Sequence, residues 1–194
     1  MAKGTRGGRR VYIRKDGTWK GMGEMGGGFT SAGGGGEAFE MKALHPAEFN
    51  TQGRFVSQEA AVKMFRDKYG DAAVEYGISI DNQGFVHRHV QGGRTSVAIG
   101  AAGRDHLIVH NHPSGGAFSK ADLLVFAQDA RASGIVATSS KSQYTVTKTK
   151  SFNSQKWNKA VTKAKWPTDL SYDEGADWWL KKNAPKLGVN YKRG

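Results

Sequence analysis

The chain has 194 residues, of which 38% are hydrophobic, so its length suits one domain with extensions or at most two small domains. It contains no cysteine, which excludes disulfides and thiolate metal sites. It has neither an apolar run long enough to span a membrane nor an apolar secretory signal. We therefore expect a cytoplasmic protein without membrane contact. The formal net charge of +12 predicts attraction to polyanions, nucleic acid above all, although such a charge also binds them non-specifically.

The first 36 residues are rich in glycine and in basic residues. They contain thirteen glycines and seven Lys or Arg residues against two acidic residues. Glycine at this density loses too much backbone entropy on ordering. We therefore predict a disordered basic arm over residues 1–36, which serves either as a tether for nucleic acid or a partner, or as a solubilising tail.

Residues 37–150 have the pattern of a mixed domain. The apolar periodicity predicts a helix over residues 57–69, and the alternation that follows predicts a strand over residues 74–80 that turns back as a hairpin. The mixture of helices and strands predicts an α/β or α+β fold, with a single β-sheet flanked by helices. The further predicted elements are strands at 85–90, 96–99 and 106–112, a helix over 119–134, and strands at 135–138 and 144–149.

Residues 151–194 are predicted to form a basic helical tail that contains tryptophan. Residues 141–194 hold twelve Lys or Arg residues against four acidic ones, and Trp157, Val161 and Ala164 mark one face of a helix. A second short helix is indicated by Trp178, Trp179 and Leu180. Basic residues interleaved with tryptophan can bind single-stranded nucleic acid. The alternative is that the tryptophans pack and the lysines form a solvated face.

The segment HNHPSGGAFSKAD, residues 110–122, carries the clearest chemical signal. His110 and His112 are two apart on a predicted strand, so both imidazoles lie on the same face. A tight turn follows, and Ser119 and Asp122 come at the start of the next helix. Two histidines and one carboxylate leave an open tetrahedral position, which is the arrangement of catalytic zinc. We therefore predict a zinc site formed by His110, His112 and Asp122.

Two ordinary explanations stand beside this hypothesis. Ser119 and Asp122 also match a helix-capping pattern, in which a serine N-cap is followed three residues later by an acidic residue. His87 and His89 repeat the two-residue spacing on the hairpin, so one of the two histidine pairs can be structural.

The pattern His110-x-His112-Pro113 followed by Ser119-x-x-Asp122 resembles the JAMM signature of the JAB/MPN metalloproteases. HNHPSG is most similar to the RadC branch and to JAB-type domains of phage and toxin proteins. The resemblance covers about residues 70–148. It implies a single sheet flanked by helices, with a core like that of the JAB and cytidine deaminase folds. It also implies zinc on the two histidines and Asp122, and a Ser119 that stabilises the transition-state oxyanion.

The same resemblance implies a glutamate that acts as general base. Glu75 is the best positional match, because it begins the strand EYGISID and faces away from that strand's apolar side chains. Glu59, Glu40 and Glu37 are lesser candidates, and without such a base the site would bind metal without catalysis. The loop between His112 and Ser119 is one residue shorter than the usual signature, which can displace Ser119.

Three functions remain open from the sequence. The first is zinc-dependent hydrolysis of a peptide or isopeptide bond in a protein or peptide substrate. The second is a non-enzymatic module that binds nucleic acid or joins an assembly through the basic arm and tail. The third is a metal-dependent nuclease, although the residues that name the HNH nucleases are spread over a ββα unit and do not form a contiguous tripeptide.

Overall fold

The computed structural model describes the backbone of residues 2–6, 9–13 and 19–21, and the whole of residues 41–50 and 57–194. The predicted disorder of the N-terminal arm is not confirmed, because the described part of the arm forms a three-stranded antiparallel sheet, and the rest of the arm lies outside the described residues. The strands of this small sheet are β1 (Ala2–Arg6), β2 (Arg9–Ile13) and β3 (Trp19–Gly21).

The rest of the described chain is a mixed α/β structure with a seven-stranded sheet and four helices, which confirms the predicted fold class at this level. The strands are β4 (Lys42–Leu44), β5 (Tyr76–Ile80), β6 (Val86–Gln91), β7 (His106–Asn111), β8 (Ala132–Thr138), β9 (Gln143–Lys148) and β10 (Val189–Arg193). The helices are α1 (Gln58–Tyr69), α2 (Lys120–Gln128), α3 (Ser154–Lys163) and α4 (Tyr172–Asn183).

The strand order in this sheet is β10-β9-β8-β7-β5-β6-β4. Strands β7 and β8 run parallel, and every other neighbouring pair is antiparallel. A parallel pair needs a crossover, and α2 supplies it between β7 and β8. The carboxyl end of β7 therefore leads directly toward the start of α2, where the predicted metal ligands lie.

Helix α1 covers one face of the sheet, as its apolar periodicity predicts. Ser57 caps its first turn by accepting a hydrogen bond from the Ala60 N–H. Its buried side chains, Phe65 among them, pack with Ile78 of β5 and Val109 of β7 in one hydrophobic cluster. This side of the molecule is a core without any of the predicted site residues.

The opposite face is covered by α2, α3 and α4. Trp157, which is completely buried, packs against Phe126 of α2 and donates a hydrogen bond from its indole Nε1 to the Leu123 carbonyl at 2.7 Å. Trp179 and Leu180 of α4 belong to the same cluster. The two helices of the predicted tail thus complete the core on the side of the sheet that carries His110. No helix among the described residues is long and apolar enough to cross a membrane.

One predicted strand is absent, and the end of one predicted helix is wrong. Residues 96–99 form no strand. Their backbone makes other hydrogen bonds, since the Val97 N–H donates to the Glu75 carboxylate and the Ser96 carbonyl accepts from the Gly93 N–H. Helix α2 ends at Gln128 rather than near Gly134. Gly134 lies inside β8, where a Cβ would stand 2.7 Å from the Val146 carbonyl oxygen, so this glycine permits close strand packing rather than ending a helix.

Candidate metal centre

The site lies at the carboxyl end of β7, on the sheet face covered by α2. His110 and His112 are both buried on this face, at 3% and 9% exposure. Backbone alternation explains the arrangement, since Ile108 packs in the cluster of the same face while Val109 packs in the cluster of the other. The chain then turns through a left-handed Gly115 and enters α2, which places Asp122 beside the histidines.

The three predicted ligands converge. The two Nε2 atoms of His110 and His112 lie 2.9 Å apart. The Oδ1 atom of Asp122 lies 3.7 Å from His110 Nε2, and its Oδ2 atom lies 3.5 Å from His112 Nε2. One ligand atom from each residue falls within 4.8 Å of the others, and no other trio of His, Cys, Asp or Glu within the described part of the chain does so. This group could hold a metal ion.

The imidazole of His112 is oriented by a second hydrogen bond. Its Nδ1 atom donates to the Gly116 carbonyl at 3.0 Å, which turns Nε2 toward His110 and Asp122. A backbone acceptor behind a histidine is a common way to fix the ring of a metal ligand. The residues present therefore fit a cation that takes nitrogen and carboxylate oxygen ligands.

The charges of the trio are strongly coupled. Burial lowers the pKa of His110 to about 4, so this ring is neutral. Burial also opposes protonation of His112, but Asp122, Glu75 and the Gly116 carbonyl together raise the pKa of His112 to about 9. Burial opposes ionisation of Asp122, but the positive charge of His110 and of His112 when each is protonated, with hydrogen bonds from His112 and Ser119, holds the pKa of Asp122 well below its usual range. A bound cation would take the place of the proton that His112 holds.

Asp122 serves the helix cap and the site at once. Its Oδ2 atom accepts from the backbone N–H of Ser119 at 2.7 Å and from the Ser119 hydroxyl at 2.7 Å, and its own N–H donates to that hydroxyl. The capping alternative is therefore true, and it does not compete with the metal hypothesis, because Oδ1 remains directed toward His110. The cap holds the carboxylate where a ligand is needed.

Ser119 lies beside the trio, but its hydroxyl is engaged in the cap. It donates to Asp122, and it lines the same cavity as the two histidines. A role in stabilising an oxyanion requires this hydroxyl to turn from the cap toward the cavity. The predicted role of Ser119 stays a prediction.

Glu75 lines the same cavity as the trio. It lies immediately before β5, is 8% exposed, and accepts a hydrogen bond from the Val97 N–H. Burial, with the nearby charge of Asp122, raises its pKa to about 7, although His112 and the Val97 N–H act in the opposite direction. A carboxyl group that titrates near neutral pH beside a candidate metal site has the properties of a general base. Its catalytic role is not tested by this geometry.

The other glutamates that the sequence raised are less suitable or undescribed. Glu59 is exposed on α1, on the far side of the sheet from the trio. Glu37 and Glu40 lie outside the described residues. Of the two candidates that the structure describes, Glu75 and Glu59, only Glu75 lies in the cavity of the trio.

The second histidine pair is structural in this fold. A β-bulge next to Ile80 takes His87 out of register, so His87 and His89 do not share a face. His89 is buried under α1 and bonds to the Tyr69 hydroxyl at 3.0 Å, whereas His87 is exposed and contacts Asp81. Of the two histidine pairs, His110 and His112 are therefore the one that lies on a single face and meets a carboxylate there.

The cavity beside the trio has a volume of about 400 Å³. Such a volume is within the range of ligand sites. Its walls include Arg94 and Val97 from the segment before β7, and Tyr172 and Asp173 from the start of α4. Sequence reasoning missed these four residues. The S-x-x-E cap that begins α4 marks a helix start, but no local pattern says that this helix end reaches the cavity.

Asp173 connects α4 to the loop behind the trio. Its Oδ1 atom accepts from the Ala117 N–H at 2.8 Å. A Cβ on Gly116 would stand 2.8 Å from the same oxygen, so a larger residue there would push the Asp173 carboxylate away from its bond to the Ala117 N–H. Because Gly116 provides the acceptor for His112, Asp173 holds the backbone next to the group that orients this imidazole.

Comparison of the chain with protein-family models, with curated proteins and with solved structures finds no significant match to any of them. The chemistry of the site therefore rests on its own residues. Two imidazoles and a carboxylate can bind a divalent cation, and the buried Glu75 can move a proton in the same cavity.

Proposed function

We propose that this protein is a zinc-dependent hydrolase of the JAMM type, which cleaves a peptide or isopeptide bond. The observation that carries the proposal is the position of Glu75, a buried carboxyl group with a pKa of about 7, in the cavity of the His110, His112 and Asp122 trio. A structural cluster of histidine and aspartate needs no such group. A hydrolytic site needs a base beside the ion.

The chain's own residues have the following roles in this reaction. Ionised Glu75 takes a proton from the attacking water as the water oxygen bonds to the carbonyl carbon. The carbon–nitrogen bond then breaks, and Glu75 delivers the proton to the leaving nitrogen. When bound, zinc supplies Lewis-acid polarisation of the carbonyl and lowers the pKa of water. The Ser119 hydroxyl, released from its cap, donates to the oxyanion.

The resemblance to the JAB/MPN metalloproteases supports this assignment residue by residue. His110 and His112 match the first half of the signature and Ser119 and Asp122 match the second, and although the loop between the halves is one residue shorter, Ser119 and Asp122 both line the cavity. Zinc is proposed over other divalent ions because two imidazoles and one carboxylate are its usual catalytic ligands.

The first test is the metal content of the purified full-length protein, measured by plasma mass spectrometry. We expect about one zinc per chain, and none in the His110→Ala/His112→Ala double variant. The matched control is His87→Ala, which removes an exposed histidine with the same sequence spacing and should keep the zinc. Wild-type protein that stays free of metal after zinc is offered at neutral pH would refute the proposal.

The second test separates catalysis from binding. Glu75→Gln should keep zinc but lose hydrolysis of a peptide or isopeptide library, by at least about 100-fold in kcat. Glu59→Gln, a change at the exposed α1 glutamate, should leave the zinc content and the rate of hydrolysis unchanged. Equal hydrolysis by wild type and Glu75→Gln would remove the proposed base and leave a metal-binding protein.

A second candidate function is the binding of single-stranded nucleic acid, and one observation favours it. Trp178 of α4 is 41% exposed, and the Lys182 ammonium lies 4.7 Å from its ring centroid. An exposed ring beside basic residues can stack on a base. Binding that weakens steeply with salt, survives metal removal and is lost in Trp178→Ala, but not in Lys63→Ala, would support this function.

The nuclease alternative has no feature of its own among the residues that the structure describes. Incubation of the purified protein with plasmid tests it directly. Cleavage that is lost in His110→Ala would revive it in place of peptide hydrolysis.

A further inference from the structure

Asn111 lies between the two candidate ligands His110 and His112, and its side chain is completely buried. Backbone pairing of β5 with β7 ends at Gly77 and His110, so Asn111 stands opposite Tyr76 just past the last paired residues. A buried amide at this position must find partners for both its donor and its acceptor. The hydrogen-bond partners of the Asn111 amide therefore indicate its role.

The Asn111 amide bonds to the backbone on either side of Glu75. Its Oδ1 atom accepts from the Tyr76 N–H at 2.6 Å, and its Nδ2 atom donates to the Val74 carbonyl at 3.1 Å. The side chain thus acts like one more peptide group of β7 and continues the pairing past the point where the two backbones separate. The residue that lies between the two bonds is Glu75.

The backbone of Glu75 itself is held from the other side. Its N–H donates to the Gly93 carbonyl at 2.7 Å, and its carbonyl accepts from the Gly92 N–H at 2.7 Å. Asn111 supplies the matching restraint on the β7 side, from the same three-residue stretch that carries both histidines. The Asn111 side chain therefore adds to the pairing of β5 with β7 in opposing a displacement of the Glu75 backbone relative to the histidines.

We propose that Asn111 is the positioning residue of Glu75, holding the proposed base in register with the ligands His110 and His112. This role rests on the proposed metal-dependent hydrolysis. Both polar groups of the Asn111 side chain are engaged by the backbone of Val74 and Tyr76, so this residue acts through Glu75 and is not proposed as a ligand. The two hydrogen bonds of Asn111 extend the direct pairing of β5 with β7 by the residues on either side of Glu75.

The chain contains a matched control for this role. Asn50 makes the same pair of bonds to another strand, since its Nδ2 donates to the Val86 carbonyl and its Oδ1 accepts from the Val86 N–H, both at 2.8 Å. Its partner Val86 belongs to the hydrophobic cluster under α1, on the face of the sheet away from the trio. Replacing either asparagine with alanine frees two backbone groups and should lower thermal stability, with the larger loss at Asn111, which is completely buried, than at Asn50, which is half-buried.

The experiment uses the full-length protein loaded with Co²⁺, whose visible spectrum reports the surroundings of the bound ion. Spectra across neutral pH are compared for wild type, Asn111→Ala, Asn50→Ala, Glu75→Gln and the Asn111→Ala/Glu75→Gln double variant. We expect Asn111→Ala to shift the pH of the spectral change in the direction that Glu75→Gln does, and the double variant to shift it no further. Asn50→Ala should match wild type. With a peptide substrate, Asn111→Ala should lower kcat about 10- to 100-fold without raising KM.

The possible failures are distinguishable. Wild-type protein that binds no Co²⁺ would refute the proposed function, and the role of Asn111 with it. Normal Co²⁺ binding with an Asn111→Ala spectrum like that of Asn50→Ala would refute the positioning role alone. If Asn111→Ala does not fold, Asn111→Ser replaces it, because a hydroxyl can satisfy one of the two freed backbone groups. A Ser variant with an unshifted spectrum would overturn the inference equally.

Discussion

Glu75 links the chemistry of the site to the stability of the fold. Its pKa is raised to about 7 from the model-peptide value of 4.5, mainly by burial, so the folded protein keeps a proton that the unfolded chain releases between these two pH values. The protonated Glu75 carboxyl therefore stabilises the folded protein fully below pH 4.5, and this contribution is lost as the pH rises through about 7. At alkaline pH the buried, ionised carboxylate lowers the free energy of unfolding of the metal-free protein, and this is the cost of ionisation.

The variant Glu75→Gln should remove this cost. We expect the metal-free variant to gain roughly 3 kcal/mol over wild type between pH 4.5 and pH 8, since one pKa unit is about 1.4 kcal/mol. Urea denaturation in the presence of a chelator at both pH values measures the difference. A stability difference between the two proteins that does not change with pH would show that Glu75 is not buried as described.

Asp122 and Ser119 share one cap but should differ in their effect on metal binding. Asp122→Asn removes the charge that faces both histidines, whereas Ser119→Ala removes only the hydroxyl. We expect Asp122→Asn to weaken zinc affinity more than Ser119→Ala does, and Ser119→Ala to cost about 1 kcal/mol of stability through the lost cap. Competition with a chromophoric chelator ranks the affinities. The opposite ranking would make Asp122 a capping residue alone.

At the scale of elements, the site depends on how α4 meets the loop before α2. Asp173, in the first turn of α4, holds the Ala117 N–H and thereby the loop whose Gly116 carbonyl orients His112. Asp173→Ala should therefore lower zinc affinity about 10-fold, although Asp173 is no ligand. Asp169→Ala, which removes an exposed carboxylate from the same stretch, is the matched control and should bind zinc like wild type.

Either of two results would contradict this role of α4. One is an Asp173→Ala variant with wild-type affinity. The other is an Asp169→Ala variant with the same loss, which would point to long-range charge rather than to the hydrogen bond to Ala117.

At the scale of the whole molecule, the two ends of the chain should respond differently to truncation. Trp157 and Leu180 are completely buried and Trp179 nearly so, all in the cluster that includes Phe126 of α2. Deleting residues 151–194 should therefore abolish cooperative unfolding, and Trp157→Ala alone should cost about 3–5 kcal/mol. Deleting residues 1–36 should leave thermal stability unchanged, because their scattered apolar residues are too few to form a core.

Thermal unfolding of both truncated proteins tests these two predictions. A large loss of stability on removal of the glycine-rich arm would show that it packs against the domain. Cooperative unfolding after removal of residues 151–194 would show that α3 and α4 are an accessory to a core that stands without them.

Local patterns in the sequence determined several features that the structure bears out. Helix α1 follows from apolar periodicity and the Ser57 cap, and the shared face of His110 and His112 follows from strand alternation. The nearness of Asp122 follows from the tight turn between β7 and α2. These features depend on residues within about one turn or one strand of each other, where backbone geometry alone is decisive.

Only the tertiary structure decided the rest. The entry of Glu75 into the cavity depends on the pairing of β5 with β7, the separation of His87 from His89 depends on a bulge, and the contribution of Asp173 depends on how α4 packs. The sequence alone could not place these residues, because each contact joins distant parts of the chain and its geometry is set by sheet order and core packing. The ligands of the candidate metal centre were thus determined by local sequence, and its proposed base and its supports by the fold.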